Sequence, residues 1–315
     1  MIDPRKARFF VAVYEAGSIT RAAEREHIAQ PALTVHIQQL EDELKVKLFE
    51  RSAQGVSPTP AGRHLYQFCQ DLLRRLESID EEMRAFGGDV AGSIVAGIMP
   101  SICHGPLPPV LAQFTAAHPN VSIRIIEGLS GTLAEWVLSK EVDFAICNRP
   151  ASASELSLRL LVTDRLVLVS ARDRGLVPFA PCRLGEVADL KLVLPSANHF
   201  LRHTLDHAIH RGDFRPVKTL EIDGQSATLQ FVAHSEWSSI LPTIALVNEF
   251  DSGRFTINPI EQPVLTTEIY ELRSPRHALS PASERFVALL EAQLRALPGL
   301  PGPQEAPPAG HRRGR

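Results

Sequence analysis

Apolar positions in the first sixty residues recur at helical rather than strand spacing. Phe9, Phe10 and Val13 form a stripe on a first helix. Ile19, Ala22 and Ala23 do the same on a second, with Ser18 placed to cap it. A third pattern opens at Gln30-Pro31, and proline suits a first helical position because its missing N–H would be unpaired there anyway. From it Leu33, Ile37, Leu40 and Leu44 run at spacings of 4, 3 and 4, which is one buried face. Thr34, Val35, Gln38 and Gln39 fall outside that stripe, so one side packs and the other is free to read a surface. Residues 51–57 (RSAQGVS) are short, polar and centred on Gly55, which predicts a small hairpin or wing. Thr59-Pro60 then repeats the cap-plus-proline start of a helix.

That next helix is long. Leu65, Phe68, Leu72, Leu76, Ile79, Met83 and Phe86 recur at spacings of 3, 4, 4, 3, 4 and 3, a coiled-coil pattern. Over Ala61–Phe86 it spans roughly 39 Å at 1.5 Å per residue. Such a stripe needs either a partner helix or a bed on its own domain. Gly87, Gly88 and Gly92 mark a joint after it.

Beyond residue 92 the pattern changes to strand–helix alternation. Strands are predicted at Ser93–Ile98, Val121–Glu127, Asp143–Cys147, Leu166–Ser170, Leu192–Leu194 and Val217–Ile222, and near 255–260 and 269–273. Helices are predicted at Leu107–Ala117, Thr132–Ser139, Phe200–Arg211, 225–234 and Pro281–Leu297. This is an α/β layout with parallel sheets, long enough for two lobes, and such sheets bind ligands at the carboxyl ends of their strands. The Pro- and Gly-rich stretch 298–315 reads as a disordered tail.

Bulk properties narrow the function classes. No apolar run approaches the roughly 20 residues of a membrane helix, and the start lacks a signal peptide's apolar core, so a cytoplasmic chain is expected. Cys69, Cys103, Cys147 and Cys182 form no Cys-x-x-Cys pair, which argues against structural zinc and against a disulfide framework. The net charge is −3, and residues 1–65 carry nine Lys/Arg against eight Asp/Glu. Phosphate contact depends on where a few cations and helix starts point, but nonspecific affinity should be modest and one copy should bind poorly.

The stretches FFVAVYEAGSITRAA, IAQPALTVHIQQLEDEL and KLFERSAQGVSPTPAG, followed by the long helix, resemble the LysR-type transcriptional regulators in order. The match runs from about Ile2 to Leu297 and is densest in the first 65 residues. The resemblance implies an all-α winged helix-turn-helix DNA-binding domain at 1–60 and a linker and dimerisation helix at 61–88. It further implies a two-lobed α/β effector domain, like the periplasmic binding proteins, at 92–297. Lobe 1 would take about 92–161 and 267–297, and lobe 2 about 162–266. The implied partners are double-stranded promoter DNA, a second copy through 61–86 and a likeness-based homotetramer beyond it, a small-molecule co-inducer, and RNA polymerase if the protein activates. No cofactor, metal or membrane is implied.

On the family's pattern, Gln30, Pro31, Thr34 and Val35 begin the helix that enters the major groove. Gln can pair bidentately with adenine, and Thr and Val can meet a thymine methyl. An apolar Val35 removes Arg-to-guanine readout at a position often polar or charged in relatives. His36 and Gln38 are either further contacts or plain surface. Arg51 in the wing is the leading phosphate contact, with Ser18, Thr20, Arg21 and Thr59 adding others from helix starts. Lys45-Val46 stands where relatives usually have Leu-Gly, and the turn is expected to keep ordinary φ values.

The implied effector contacts are Pro100, Ser101 and Ile102 after the first strand, Ser130 at the second helix and Asn148 beyond Cys147. Ser101 and Ser130 each precede a helix, serving as caps or as part of an anion site. Together they favour a carboxylate. The segment 194–202, LPSANHFLR, resembles one in regulators of nitrogen and aromatic metabolism. There His199 and Arg202 either pair with a carboxylate or simply start a surface helix. At 232–242 Ser235 and Trp237 replace two usual glycines, and Trp237 either narrows the pocket or packs in the lobe core. Enzyme chemistry is not expected: no Gly-rich phosphate loop, nucleophile elbow or His-Glu-x-x-His spacing occurs among the twelve histidines and their neighbours. A solute carrier is disfavoured by the fused winged helix, and redox sensing by the lone Cys182 in the second lobe.

Overall fold

A computed structural model describes residues 2–52, 55–86, 90–172, 175–275 and 278–297, without the side chains of residues 51, 52 and several between 74 and 86. The expected tail at 298–315 lies outside the described residues. The chain divides into two compact units, Met1–Asp89 and Val90–Arg315.

The first unit runs α1 (Pro4–Ala16), α2 (Ile19–Arg25), α3 (Gln30–Leu44), β1 (Phe49–Ser52), β2 (Gly55–Pro58) and α4 (Pro60–Phe86). Asp3 caps α1 by accepting from the Lys6 amide, and Gly17 closes it in the left-handed region at φ 58°. The apolar stripes read from the sequence meet here, with Phe9, Phe10, Leu33, Leu40 and Leu48 fully buried together. β1 and β2 pair antiparallel, Phe49 opposite Pro58 and Arg51 opposite Val56, giving the wing. Gly62 lets α4 approach closely, since a Cβ there would stand 2.2 Å from the Leu48 carbonyl oxygen.

Two local features depart from expectation. Lys45 ends α3 in the left-handed region at φ 54°, not in ordinary φ space. The turn closes with Lys45 N–H on the Asp42 carbonyl and Val46 N–H on the Glu41 carbonyl, a closure that demands one left-handed residue. Lys45→Gly is therefore expected to raise stability by about 0.5–1 kcal/mol, the relieved strain exceeding glycine's extra unfolded-state entropy. Thermal unfolding reads this, and a lowered midpoint would refute it. The second feature is Glu41, a buried carboxylate that accepts from the amides of Leu48 at 2.8 Å and Phe49 at 3.2 Å and pairs with Lys47 at 2.7 Å.

The α4 stripe is not uniform. Leu65, Leu72, Tyr66 and Leu73 pack with buried Cys69 on the core of their own unit, and Tyr66 stacks on Tyr14 at 3.9 Å. Phe68, Ile79 and Met83 are 60, 53 and 58 % exposed. The Phe86 side chain lies outside the described residues. Part of the stripe thus beds on the helix's own unit, while Phe68, Ile79 and Met83 are left bare.

The second unit begins β3 (Gly92–Ile98), α5 (Pro100–His104), α6 (Leu107–Ala117), β4 (Val121–Glu127), α7 (Ser130–Ser139) and β5 (Phe144–Cys147). It continues β6 (Ser157–Ala171), β7 (Cys182–Arg183), β8 (Lys191–Leu194), α8 (Phe200–His210), β9 (Lys218–Glu221), α9 (Gln225–Ala233) and β10 (Ser238–Pro242). A 3-10 turn at Thr243–Leu246, β11 (Phe255–Gln262), β12 (Thr266–Arg273) and α10 (Pro281–Ala296) complete it. The strand order is β4-β3-β5-β12-β6-β10-β8-β9, with β11 on β6.

Parallel pairing holds within β4-β3-β5 and β10-β8-β9, but β6 runs antiparallel to β12, β10 and β11. The purely parallel expectation is corrected for a topological reason. β6 passes through both lobes, pairing over Ser157–Arg165 with β12 and over Val167–Ala171 with β11. The returning β11–β12 run has no crossover helix and must lie antiparallel to it. Each lobe has its own core: Phe114, Phe144 and Phe286 in the first, and Leu168, Leu192, Leu205 and their neighbours in the second. Among the described residues no helix is long and apolar enough to cross a membrane.

Candidate functional sites

α3 leaves its outer face to solvent. Gln30, Pro31, Val35 and Gln38 are exposed, with Val35 49 % exposed, while Leu33 and Ile37 anchor the opposite side. The Thr34 hydroxyl is half-buried and donates to the Gln30 carbonyl at 3.0 Å, which orients its methyl. The His36 ring lies 5.0 Å from that of Phe9, so packing holds part of this side chain. Beside α3, Ser18 accepts from the Arg21 amide at 3.4 Å, Thr20 is exposed, and the exposed Arg21 donates to the Ala16 carbonyl. Arg51 sits on β1, and its side chain lies outside the described residues. Thr59 needs correction as a surface contact. It is 9 % exposed, donates to the Lys47 carbonyl at 2.7 Å and accepts from the Gly62 amide at 3.0 Å, so its hydroxyl is spent joining α4 to the turn before the wing.

In the second unit, the two lobes enclose a cavity of about 840 Å³ including its open mouth. Pro100, Ser101, Ser130, Asn148 and His199 from the sequence reading all line it. Ser130 opens α7, where no side chain caps the free amides. Asn148 is held from behind, donating to the Thr267 hydroxyl at 2.7 Å and to the Glu268 carbonyl at 2.9 Å. His199 caps α8 through Nδ1, which accepts from the Leu201 amide at 3.1 Å. Burial depresses the His199 pKa, against the pull of Asp223, so the acceptor form that capping requires is favoured.

Three expected residues are elsewhere. Ile102 is fully buried in the core of the first lobe, because the short α5 turns it inward. Arg202 is committed to Asp206 at 2.8 Å, Glu221 at 3.1 Å and the Pro195 carbonyl at 2.9 Å, and is not among the lining residues. Trp237 packs in the second lobe's core, 6.0 Å from the Phe231 ring, since β10 begins directly after it and fixes the strand's register.

Sequence reasoning missed Asn198, Asp223, Gln225, Thr228, Ser239 and Thr267, which complete the polar lining. The start of α9 supplies three of them, and a signal existed in Asp223-Gly224-Gln225-Ser226, polar residues ahead of a helical run. Asp223 accepts from the Ser196 amide at 2.7 Å, and that amide with the Ser196 hydroxyl holds its carboxyl below the ordinary range. The cysteines make no exposed thiolate: burial pushes Cys103 and Cys147 up to about 12, and Cys69 and Cys182 to about 11. Among the described residues no three His, Cys, Asp or Glu side chains are grouped to hold a metal ion.

Two family models match this chain. Residues 4–63 match the model of the bacterial regulatory helix-turn-helix protein, LysR family, and residues 87–295 match that of the LysR substrate binding domain. The HTH-type transcriptional regulator BenM of Acinetobacter baylyi is 30% identical over 85% of this chain and 89% of its own. The nitrogen assimilation regulatory protein Nac of Escherichia coli is 26% identical over 91% of this chain and 93% of its own. A solved variant of OxyR from Corynebacterium glutamicum superposes with a TM-score of 0.67 at 23% identity, covering 93% of this chain and 92% of that one, a likeness of fold.

Proposed function

The chain belongs to the LysR family of DNA-binding transcriptional regulators, non-enzymatic proteins with an effector-binding domain, and on that premise we propose how it works. It binds promoter DNA as a homo-oligomer, paired through the exposed second half of α4 and assembling to a tetramer. It responds to a small anionic metabolite, a carboxylate or aromatic acid, held in the cavity between the lobes of the second unit. RNA polymerase becomes a partner if the response is activation.

The observation that carries this reading is the pairing of functions in one chain. A helix with a free polar edge, Gln30 to Gln38, stands on a packed winged unit, and the same chain carries a mostly apolar cavity with α7's uncapped amides in its wall. In the groove Gln30 reads adenine, Val35 and the Thr34 methyl meet thymine, and Ser18, Thr20, Arg21 and Arg51 hold phosphates. Gln30→Ala is expected to cost about 1–3 kcal/mol of promoter affinity and to relax specificity at one base position. Gel-shift titration against single-base operator variants measures both. Unchanged discrimination at every position would remove Gln30 from the readout. For the effector, thermal-shift screening of the full chain with small carboxylates and aromatic acids is decisive: a preference for cations or neutral sugars would overturn the anion reading.

A further inference from the structure

Resting on the anion reading just proposed, we infer that the cavity takes an effector with one carboxylate on an uncharged, largely apolar body. Asp223 is the residue that rejects a second acid group. The cavity's charge inventory leads there. Among its described lining residues no Lys or Arg occurs, and Asp223 is the one formal charge at neutral pH. The nearby guanidinium of Arg202 is already shared between two carboxylates and a carbonyl.

The two walls differ. In the first lobe, α7 starts without a side-chain cap and without an acidic residue in its first turn. Leu129 and Ser130 bring the start of this helix into the cavity wall. One ligand carboxylate fits here, beside the Ser101 and Ser130 hydroxyls. In the second lobe the corresponding positions are filled by the protein itself. His199 caps α8, while α9 starts at Gly224 without a side-chain cap, and Asp223 just before it brings its own negative charge to the gap between the two helix starts. A second ligand carboxylate arriving there meets a like charge with no cation to offset it. What remains on that side is uncharged: apolar Leu194, Phe200, Ile222 and Leu241 beside the polar Asn198, Gln225, Thr228 and Ser239. Thr228, 4 % exposed, offers an uncharged hydroxyl on this side.

The test is calorimetry on the full chain with matched probes: hexanoate against adipate, benzoate against terephthalate, and the neutral hexanamide and benzamide. At least one monoacid is expected to bind about tenfold or more tighter than its diacid. Asp223→Asn keeps the oxygen that accepts from Ser196 and removes the charge, and should shrink that ratio to about threefold or less. A diacid that binds as well as its monoacid, or a ratio that survives Asp223→Asn, would overturn the inference while leaving the anion reading in place. Amides binding as well as the acids, or no binding by any probe, would bring down both.

Discussion

Ile79→Asp combined with Met83→Asp is expected to lower promoter affinity by about two orders of magnitude or more while both units stay folded. The two side chains lie four residues apart on α4 and are 53 and 58 % exposed, so neither contributes to its own unit's core. Burying them requires another surface, and a second copy of the same stripe is the self-complementary choice. Each half-site alone is read weakly, because residues 1–65 carry nine cations against eight anions and the phosphate term is small. Linking two weak readers raises affinity through effective concentration, by about 10²–10⁴ in favourable geometry. Light scattering should show the variant as a monomer, and gel-shift titration should show the loss. A variant that stays dimeric with unchanged affinity would refute this role for the stripe. Leu72→Asp is the wrong probe for the same question: Leu72 packs on the first unit's core, and losing it unfolds the reader itself.

The contrast between Leu72 and Ile79 shows what periodicity conveys. Spacing of 3 and 4 identifies an apolar face, which is buried on α1 and over Leu33, Ile37 and Leu40 of α3, while Leu44 is 37 % exposed and the α4 stripe is buried only in part. Spacing does not say which neighbour does the burying, since Leu72 and Ile79 obey one pattern and face different partners. Strands were legible both where they are buried, as in Phe144–Cys147, and where they are exposed, as in Lys218–Glu221. The first half of β6 alternates weakly, with Leu160 46 % exposed and Arg159 turned to Glu271, and no strand was predicted there. β10 was hidden for the opposite reason. Ser238 and Ser239 are polar yet 1 and 3 % exposed, and the Ser239 hydroxyl is satisfied by the Val193 carbonyl across the sheet. In the cavity, the family resemblance pointed to Ser101, Ser130, Asn148 and His199, which line it. It missed Asp223 and Thr228, which reach the same space only through the second lobe's topology. Arg202 looked like an anion ligand by type, and its three acceptors, invisible in the sequence, decide otherwise.

Glu41→Ala is expected to destabilise the first unit by about 3 kcal/mol, because two buried amides, those of Leu48 and Phe49, lose this acceptor at once. These amides begin the wing, so the same change should loosen β1 against α3 and weaken promoter binding beyond what stability alone explains. Lys47, 73 % exposed, adds little as an ion pair, and Lys47→Ala should cost less than about 1 kcal/mol. Burial pushes the Glu41 carboxyl up, but Lys47 and the two amides together hold it below its ordinary value of 4.5. A depressed carboxyl stabilises fully above the unfolded value and loses that stabilisation as pH falls below it. The first unit should therefore weaken with acid from about pH 4.5 downward, and Glu41→Gln should flatten that part of the slope. Urea denaturation across this pH range, with hydrogen exchange at the Leu48 and Phe49 amides, separates the two causes. Fast exchange at both amides in Glu41→Ala, with slow exchange kept in Lys47→Ala, is the expected pattern. Equal protection in all variants would mean that the carboxylate does not hold the wing.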